Sequence, residues 1–307
     1  MNRTDILELL SIPEHHPEAL AMRQTADALS RKRFDNKRLL LGQIGVESHG
    51  CPGKCAFCTF AQDIFTTPDA SMDIPSVVDT AFRFTGKGEL FALFLMTMHD
   101  YDKPRLLNLI HAVRHAIPEK VNIVLNIGDT PEMDWKEYKD AGVFGAYHVL
   151  RLREGTDTHL DPVERKKTIA ALRNAGLNWF YCCEPIGPEH THDEIADAIL
   201  LGNDFGCFQH AAMARVNFPD SPLLKFGEIS KERLAQIVAI TALASETNPE
   251  LTSIAVHEPD ILSLRSGANS VYAEVGANPR DVNANTETHR GRSVADLNNM
   301  LSEAGWV

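Results

Sequence analysis

The sequence predicts a complete or nearly complete (β/α)8 barrel of the TIM type, preceded by a helical extension, and three observations carry that expectation. Eight short apolar runs alternate with eight helical stretches from residue 39 onward. Short apolar runs joined by helices read as parallel strands buried on both faces. The chain has 307 residues, within reach of a single barrel, whose usual size is ~250 residues. With no linker or compositional break in between, the expected division is an extension over residues 1–38 and one barrel domain over residues 39–307.

In the extension, Ile6, Leu9 and Leu10 recur at helical spacing until Pro13, and a second helix runs from about Pro17 to Lys32. The first strand opens at Leu39 (LLLGQIGV) and leads into a loop holding Cys51, Cys55 and Cys58. Further strands are expected over residues 90–96, 121–127, 144–150, 177–182, 208–216, 253–256 and 270–273. The helices between and after them fall at about 74–84, 104–117, 131–141, 162–175, 193–201, 230–245, 259–266 and 294–303. Five begin with Pro at or near the first helical position, and Asp161 and Ser230 are suited to cap theirs. Gly142, Gly176 and Gly202 are expected as left-handed exits.

Composition excludes several classes. Thirty Lys and Arg against 42 Asp and Glu give a formal charge of -12, a field that repels phosphate backbones, so no nucleic-acid partner is expected. No window approaches 18 continuous apolar residues and the N-terminus lacks an apolar leader, so neither membrane insertion nor secretion is expected. Six cysteines are too few for a disulfide scaffold, and three of them crowd into eight residues. That reads as a metal site in a reducing, cytoplasmic compartment.

The loop Cys51-Pro-Gly-Lys-Cys55-Ala-Phe-Cys58 is the most informative stretch. Thiolates at spacings of four and three close onto one soft metal centre, and Gly53 permits the tight turn between them. Zinc with His49 as fourth ligand is one reading, and a disulfide with a spare thiol is another. A third is a four-iron cube held by three thiolates, which leaves one iron open. Chance clustering of buried cysteines fits poorly with so much Gly, Pro and Lys.

The C-x3-C-x2-C spacing, with an aromatic before the last cysteine and a position just after the first strand, resembles the signature of the radical S-adenosylmethionine superfamily. By that resemblance, Cys51, Cys55 and Cys58 bind a 4Fe-4S cluster whose open iron is chelated by S-adenosylmethionine, and Phe57 packs near the adenine. The resemblance also implies a 5′-deoxyadenosyl radical acting on a small-molecule substrate, and a reducing partner such as flavodoxin or ferredoxin.

Over about residues 40–280 the chain looks most like the biotin synthase branch, which includes 3-methylornithine synthase and the radical enzyme of iron–iron hydrogenase maturation. Tyr147-His-Val-Leu-Arg-Leu-Arg-Glu-Gly-Thr-Asp157 ends the fourth strand, where a barrel builds its site. An ion-pair network at the rim is the plain reading; the relatives place Arg and Glu there around the methionine moiety, which implicates Glu154 and Arg153, with Arg151 as the alternative. Arg165 taken alone reads as a solvated helix residue, whereas the resemblance makes it the partner of the cosubstrate carboxylate. Ile186 and Gly187 match a turn beside the adenine, Arg215 and Asn217 match nucleotide or substrate contacts, and Asn269 is expected to face the chamber.

Two departures matter. The glycine-rich motif that receives the cosubstrate amino group is degenerate, leaving Thr97 and His99 as weaker substitutes. The second and third strands end without the cysteines that hold a sulfur-donating cluster, so sulfur insertion into dethiobiotin is not expected. Cys182 and Cys183 alternate along a strand, so at most one faces the lumen, as a hydrogen-atom donor or substrate contact; otherwise they and Cys207 are small buried hydrophobes. Asn126, His148, Glu154, Glu184, Arg215, Asn217, His257, Glu258 and Glu274 are expected to give a polar lumen, with His148 and Glu274 as catalytic candidates. The expected activity is rearrangement, coupling or fragmentation of a small, amino-acid-like metabolite. A cofactor-assembly enzyme and a non-catalytic iron–sulfur or zinc-binding barrel are the rivals.

Overall fold

The computed structural model describes residues 1–66, 68–86, 90–276 and 293–307, so residues 277–280 of the span just given lie outside the described residues. Eight parallel strands close into a barrel: β1 (Leu39–Gly45), β4 (Leu90–Met96), β5 (Asn122–Asn126), β6 (Val143–Tyr147), β7 (Asn178–Ile186), β8 (Gln209–Ala214), β9 (Ser253–His257) and β10 (Ser270–Gly276). Their order is β1-β10-β9-β8-β7-β6-β5-β4, and β1 closes the ring by pairing with both β10 and β4. Two-residue strands β2 (Glu47–Ser48) and β3 (Ala70–Ser71) pair antiparallel on either side of the cysteine loop. Strands that short carry no periodicity, which is why the sequence reading passes over them.

Helices α3 (Ile74–Thr85), α4 (Lys103–Ala116), α5 (Glu132–Asp140), α6 (Pro162–Asn174), α7 (His192–Asp204), α8 (Lys231–Ala244) and α9 (Ile261–Leu264) alternate with the strands, and α10 (Val294–Glu303) follows β10. Asp73, Asp102, Asp161, Thr191 and Ser230 cap theirs by accepting from backbone N–H groups, each cap worth about 1 kcal/mol. Gly142 and Gly176 are left-handed exits as expected, with φ of 98° and 74°. Gly202 is not an exit. It lies inside α7, where a side chain would strike the rings of His210 and Tyr181, and the helix leaves through Gly206 one turn later.

The extension forms α1 (Arg3–Ser11) and α2 (Pro17–Arg33). Ile6 and Leu10 of α1 are buried against the core, and Arg3 pairs with Asp193 and Asp197 of α7. Gln236 of α8 donates to the carbonyls of Leu9 and Ile12 that end α1. The start of the barrel is filled by rings: Phe91, Phe144, Phe180 and Phe208 pack edge-on, stacked or tilted against one another. Asn269 belongs to this end and not to the chamber, since its side chain joins the Lys37 carbonyl to the Ile254 amide at the start of β10.

His210 of β8 is fully buried between Tyr181 and Ser245, and burial pushes its imidazole down to about 3. Between that value and the ordinary 6.5 the unfolded chain binds a proton that the native state refuses, so stability falls as pH falls through this window. Urea unfolding at pH 5.5 should show about 1.4 kcal/mol less stability through this residue than at pH 7.5. His210→Gln should flatten the dependence by that amount; an unchanged slope would show that the imidazole is charged when folded.

Candidate active site

The loop between β2 and β3 lies over the C-terminal mouth of the barrel. Its thiols are free of disulfides, with Cys55 buried and Cys51 and Cys58 half-buried. Burial pushes the Cys55 thiol up to about 12; nearby Cys58, Glu154 and Cys51 add to the shift and Arg151 opposes it. Burial likewise raises Cys51, with Cys58 contributing. Thiols carried on one loop form a donor set that gives up its protons to a bound metal centre. His49 is held elsewhere, with Nε2 2.9 Å from Asp100 Oδ1. Among the described residues the three thiols are not gathered within 4.8 Å of one another, so they and His49 do not form a closed four-ligand zinc site, and three thiols of one loop remain to hold a larger group. The loop is tied to the barrel by Ala56 N–H donating to the Asp157 carbonyl and by Ser221 Oγ donating to the Ala56 carbonyl.

Beneath the loop is a cavity of about 240 Å³. Phe57 and Cys58 form its roof, and Asn126, Tyr147, Arg151, Glu184, Asn217, His257 and Glu274 are among its walls. Glu184 accepts from the Tyr147 hydroxyl and lies 3.5 Å from Arg151 Nε. Gln43 donates to Glu274 at 3.2 Å and accepts from Asn126 at 3.0 Å. His257 stacks on Tyr272 with ring centres 4.3 Å apart. Gln43 was missed in the sequence, although a lone amide in an otherwise apolar strand run is the available signal.

Beside this cavity, at the ends of β5 and β6, is a buried charge network. Arg165 is 3% exposed. Its Nε and Nη2 donate to the Val149 carbonyl, and Nη1 donates to Asp129 Oδ1 at 3.2 Å. Glu154 Oε2 lies 3.7 Å from Arg165 Nε and accepts from the Arg151 amide, while Thr158 donates to Oε1. Burial and then the like charge of Arg151 lower the Arg165 pKa. Burial would lower Arg151 too, but Glu154 and Glu184 outweigh it and raise that group. The solvated-helix reading of Arg165 is wrong, and periodicity explains why: Arg165, Thr168, Ile169 and Leu172 form one buried stripe.

Several expected residues lie elsewhere. Arg153 does not line the cavity; it adopts φ 55° and pairs with Glu194 at 2.7 Å, so Arg151 is the arginine that enters the chamber. His148, Glu154, Arg215 and Glu258 do not line it either. Tyr147 does, so strand alternation turns His148 outward, where Nε2 lies 3.1 Å from Asp129 and burial pushes the ring down to about 3. Arg215 is fully buried and engaged by both oxygens of Glu189 and by the Gly227 carbonyl. Ligand atoms of Asp157, Glu189 and His190 gather within 4.8 Å of one another, but the Arg215 guanidinium already matches Glu189 and Arg153 holds its carbonyl. Thr97 is buried, with Oγ1 donating to the Met98 carbonyl. Cys182 does not line the cavity; burial and then the nearby Glu184 raise its thiol pKa, a hydrogen bond from Tyr147 opposes the shift, and alternation puts Cys183 on the opposite strand face.

A barrel of eight parallel strands with a three-thiol loop over its mouth is the arrangement the comparisons with known proteins can be set against. The chain's sequence likeness is to biotin synthases, and its barrel is shared with solved structures of radical S-adenosylmethionine enzymes. No protein-family model matches the chain. A biotin synthase from Mycolicibacterium paratuberculosis is 25% identical over 195 residues, 60% of this chain and 54% of that protein. The chain thus spans about half the length of the curated relatives it matches. Methylornithine synthase (PylB) superposes with a TM-score of 0.80 at 15% identity, covering 99% of this chain and 93% of that one. The FeFe-hydrogenase maturase HydG from Carboxydothermus hydrogenoformans superposes with a TM-score of 0.76 at 14% identity, covering 100% and 75%. No helix among the described residues is long and apolar enough to cross a membrane.

Gly187 was expected to admit a ligand to its backbone. A side chain there would collide with Arg215 and Glu189, so the glycine makes room for that buried pair. Gly187→Ala should cost about 1–3 kcal/mol in urea unfolding by forcing the pair apart; a loss below 0.5 kcal/mol would show that the pair re-forms freely.

Proposed function

We propose that the chain is a radical S-adenosylmethionine enzyme that removes a hydrogen atom from carbon in a small, amino-acid-like metabolite and so rearranges, couples or fragments it. The observation that carries this reading is the overlap of two features: Cys58 and Phe57 of the thiol loop roof the same cavity whose walls bear Arg151, Glu184 and Glu274. When bound, a reduced 4Fe-4S cluster and S-adenosylmethionine supply a 5′-deoxyadenosyl radical at this roof, with the electron drawn from a flavodoxin- or ferredoxin-like donor.

The chain's own residues supply position and polarity. Cys51, Cys55 and Cys58 hold the cluster. Arg165 has five N–H donors, of which three are used on Val149 and Asp129; the other two suit the carboxylate of the cosubstrate. Among the cavity walls one guanidinium faces two carboxylates. That balance favours a substrate with an ammonium group near Glu184 or Glu274 and a carboxylate near Arg151. Cys182 is fully buried against Tyr147 and Glu184 and is kept protonated there, a state suited to giving a hydrogen atom. The barrel wall excludes water from the radical.

The test is release of 5′-deoxyadenosine by protein reconstituted anaerobically with iron and sulfide and then reduced with dithionite. Wild type should release it from S-adenosylmethionine, and Cys51→Ala, Cys55→Ala and Cys58→Ala should each reduce release to background. Cleavage retained in all three variants would refute the assignment.

A further inference from the structure

Asp129 lies just past β5, outside the cavity, and nothing in the sequence reading singled it out. It is the point where four buried or half-buried groups meet. Its Oδ1 accepts from Arg165 Nη1 at 3.2 Å and from Thr168 Oγ1 at 3.1 Å, and lies 3.1 Å from His148 Nε2. Its Oδ2 lies 3.8 Å from His99 Nε2. The loop carrying it is itself fixed. The Thr130 amide donates to Thr168 Oγ1, and Gly128 packs so closely on the His99 carbonyl that no side chain fits.

We propose that Asp129 is a positioning residue: it fixes the plane of the Arg165 guanidinium, so that the two unused N–H groups stay aimed at the carboxylate of S-adenosylmethionine. This rests on the reading of Arg165 as the carboxylate-binding side chain. Two arguments support it. Val149 holds only one edge of the guanidinium, through Nε and Nη2, and leaves rotation of the side chain toward Glu154 open; the Asp129 contact on Nη1 closes it. The carboxylate is also fully charged: burial raises its pKa, but His148 and Arg165 outweigh that and hold it far below the ordinary range.

A second negative charge near an anion site also repels the anion. Here the repulsion is muted, because Oδ1 is already shared between Arg165 and Thr168 and the guanidinium stands between. Preorganisation of a buried fork is therefore the larger effect.

The experiment compares two probes on anaerobically reconstituted protein by calorimetry: S-adenosylmethionine, and 5′-methylthioadenosine, which keeps the adenosine and lacks the amino-acid end. Asp129→Asn should weaken S-adenosylmethionine about tenfold, the scale of a charge-assisted hydrogen bond, and leave 5′-methylthioadenosine unchanged. Equal weakening of both probes, or unchanged or tighter S-adenosylmethionine binding, would overturn the proposal. Thr168→Val, which removes one donor to Asp129 and no charge, should weaken S-adenosylmethionine alone by about two- to threefold, and decides the matter if Asp129→Asn does not fold. Arg165→Gln separates the two layers: if it shows the selective loss and Asp129→Asn does not, only the role of Asp129 falls. If neither shows it, the Arg165 reading falls as well.

Discussion

Strand β1 is hydrogen-bonded on both sides, to β10 and to β4, and the rest of the molecule depends on that double pairing. It turns a parallel sheet into a ring with no open edge. It also brings the C-terminal ends of all eight strands to one face, and the thiol loop leaves from the strand that makes the closure. Phe57 and Cys58 therefore meet Glu184 from β7, Glu274 from β10 and Arg151 from the chain just past β6 around one cavity. The rings of Phe91, Phe144, Phe180 and Phe208 fill the opposite end.

Within this frame the energetic problem is buried charge. Isolated guanidinium and carboxylate groups cost several kcal/mol each to bury, and the chain meets that cost by matching them in local sets. Arg215 is matched by Glu189, Arg153 by Glu194, and Arg151 by Glu154 and Glu184. Arg165 is the exception in degree: it has Asp129 and a more distant Glu154, it is almost fully buried, and its pKa is still lowered. A guanidinium left partly unmatched beside a chamber is where an anionic ligand gains most.

Much of the barrel was legible because the run of buried strands and capped helices is a matter of periodicity and capping chemistry. The eight strands and the N-caps Asp161 and Ser230 stand where the pattern puts them. The cysteine loop stood out because its spacing is rare, and the structure sets Phe57 and Cys58 of that loop against the cavity. What the sequence hid is direction. Arg151 and Arg153 are two apart and alternation alone gives them the same face, but a left-handed backbone at Arg153 after the strand end sends it to Glu194. His148 and Arg215 read as chamber groups because they sit at strand ends, yet one is turned outward by alternation and the other is engaged by Glu189. Asp129 carries no local signal beyond its place after a strand, since its partners come from α6 and the segments just past β6 and β4.

The central claim is that three thiolates at the barrel mouth hold a cluster with one iron open to S-adenosylmethionine. Electron paramagnetic resonance of the reduced, anaerobically reconstituted protein, recorded with and without S-adenosylmethionine, tests it most directly. A 4Fe-4S signal whose g-values shift when S-adenosylmethionine is added is the result expected. A signal identical in both samples, or a colourless protein carrying stoichiometric zinc, would contradict the account.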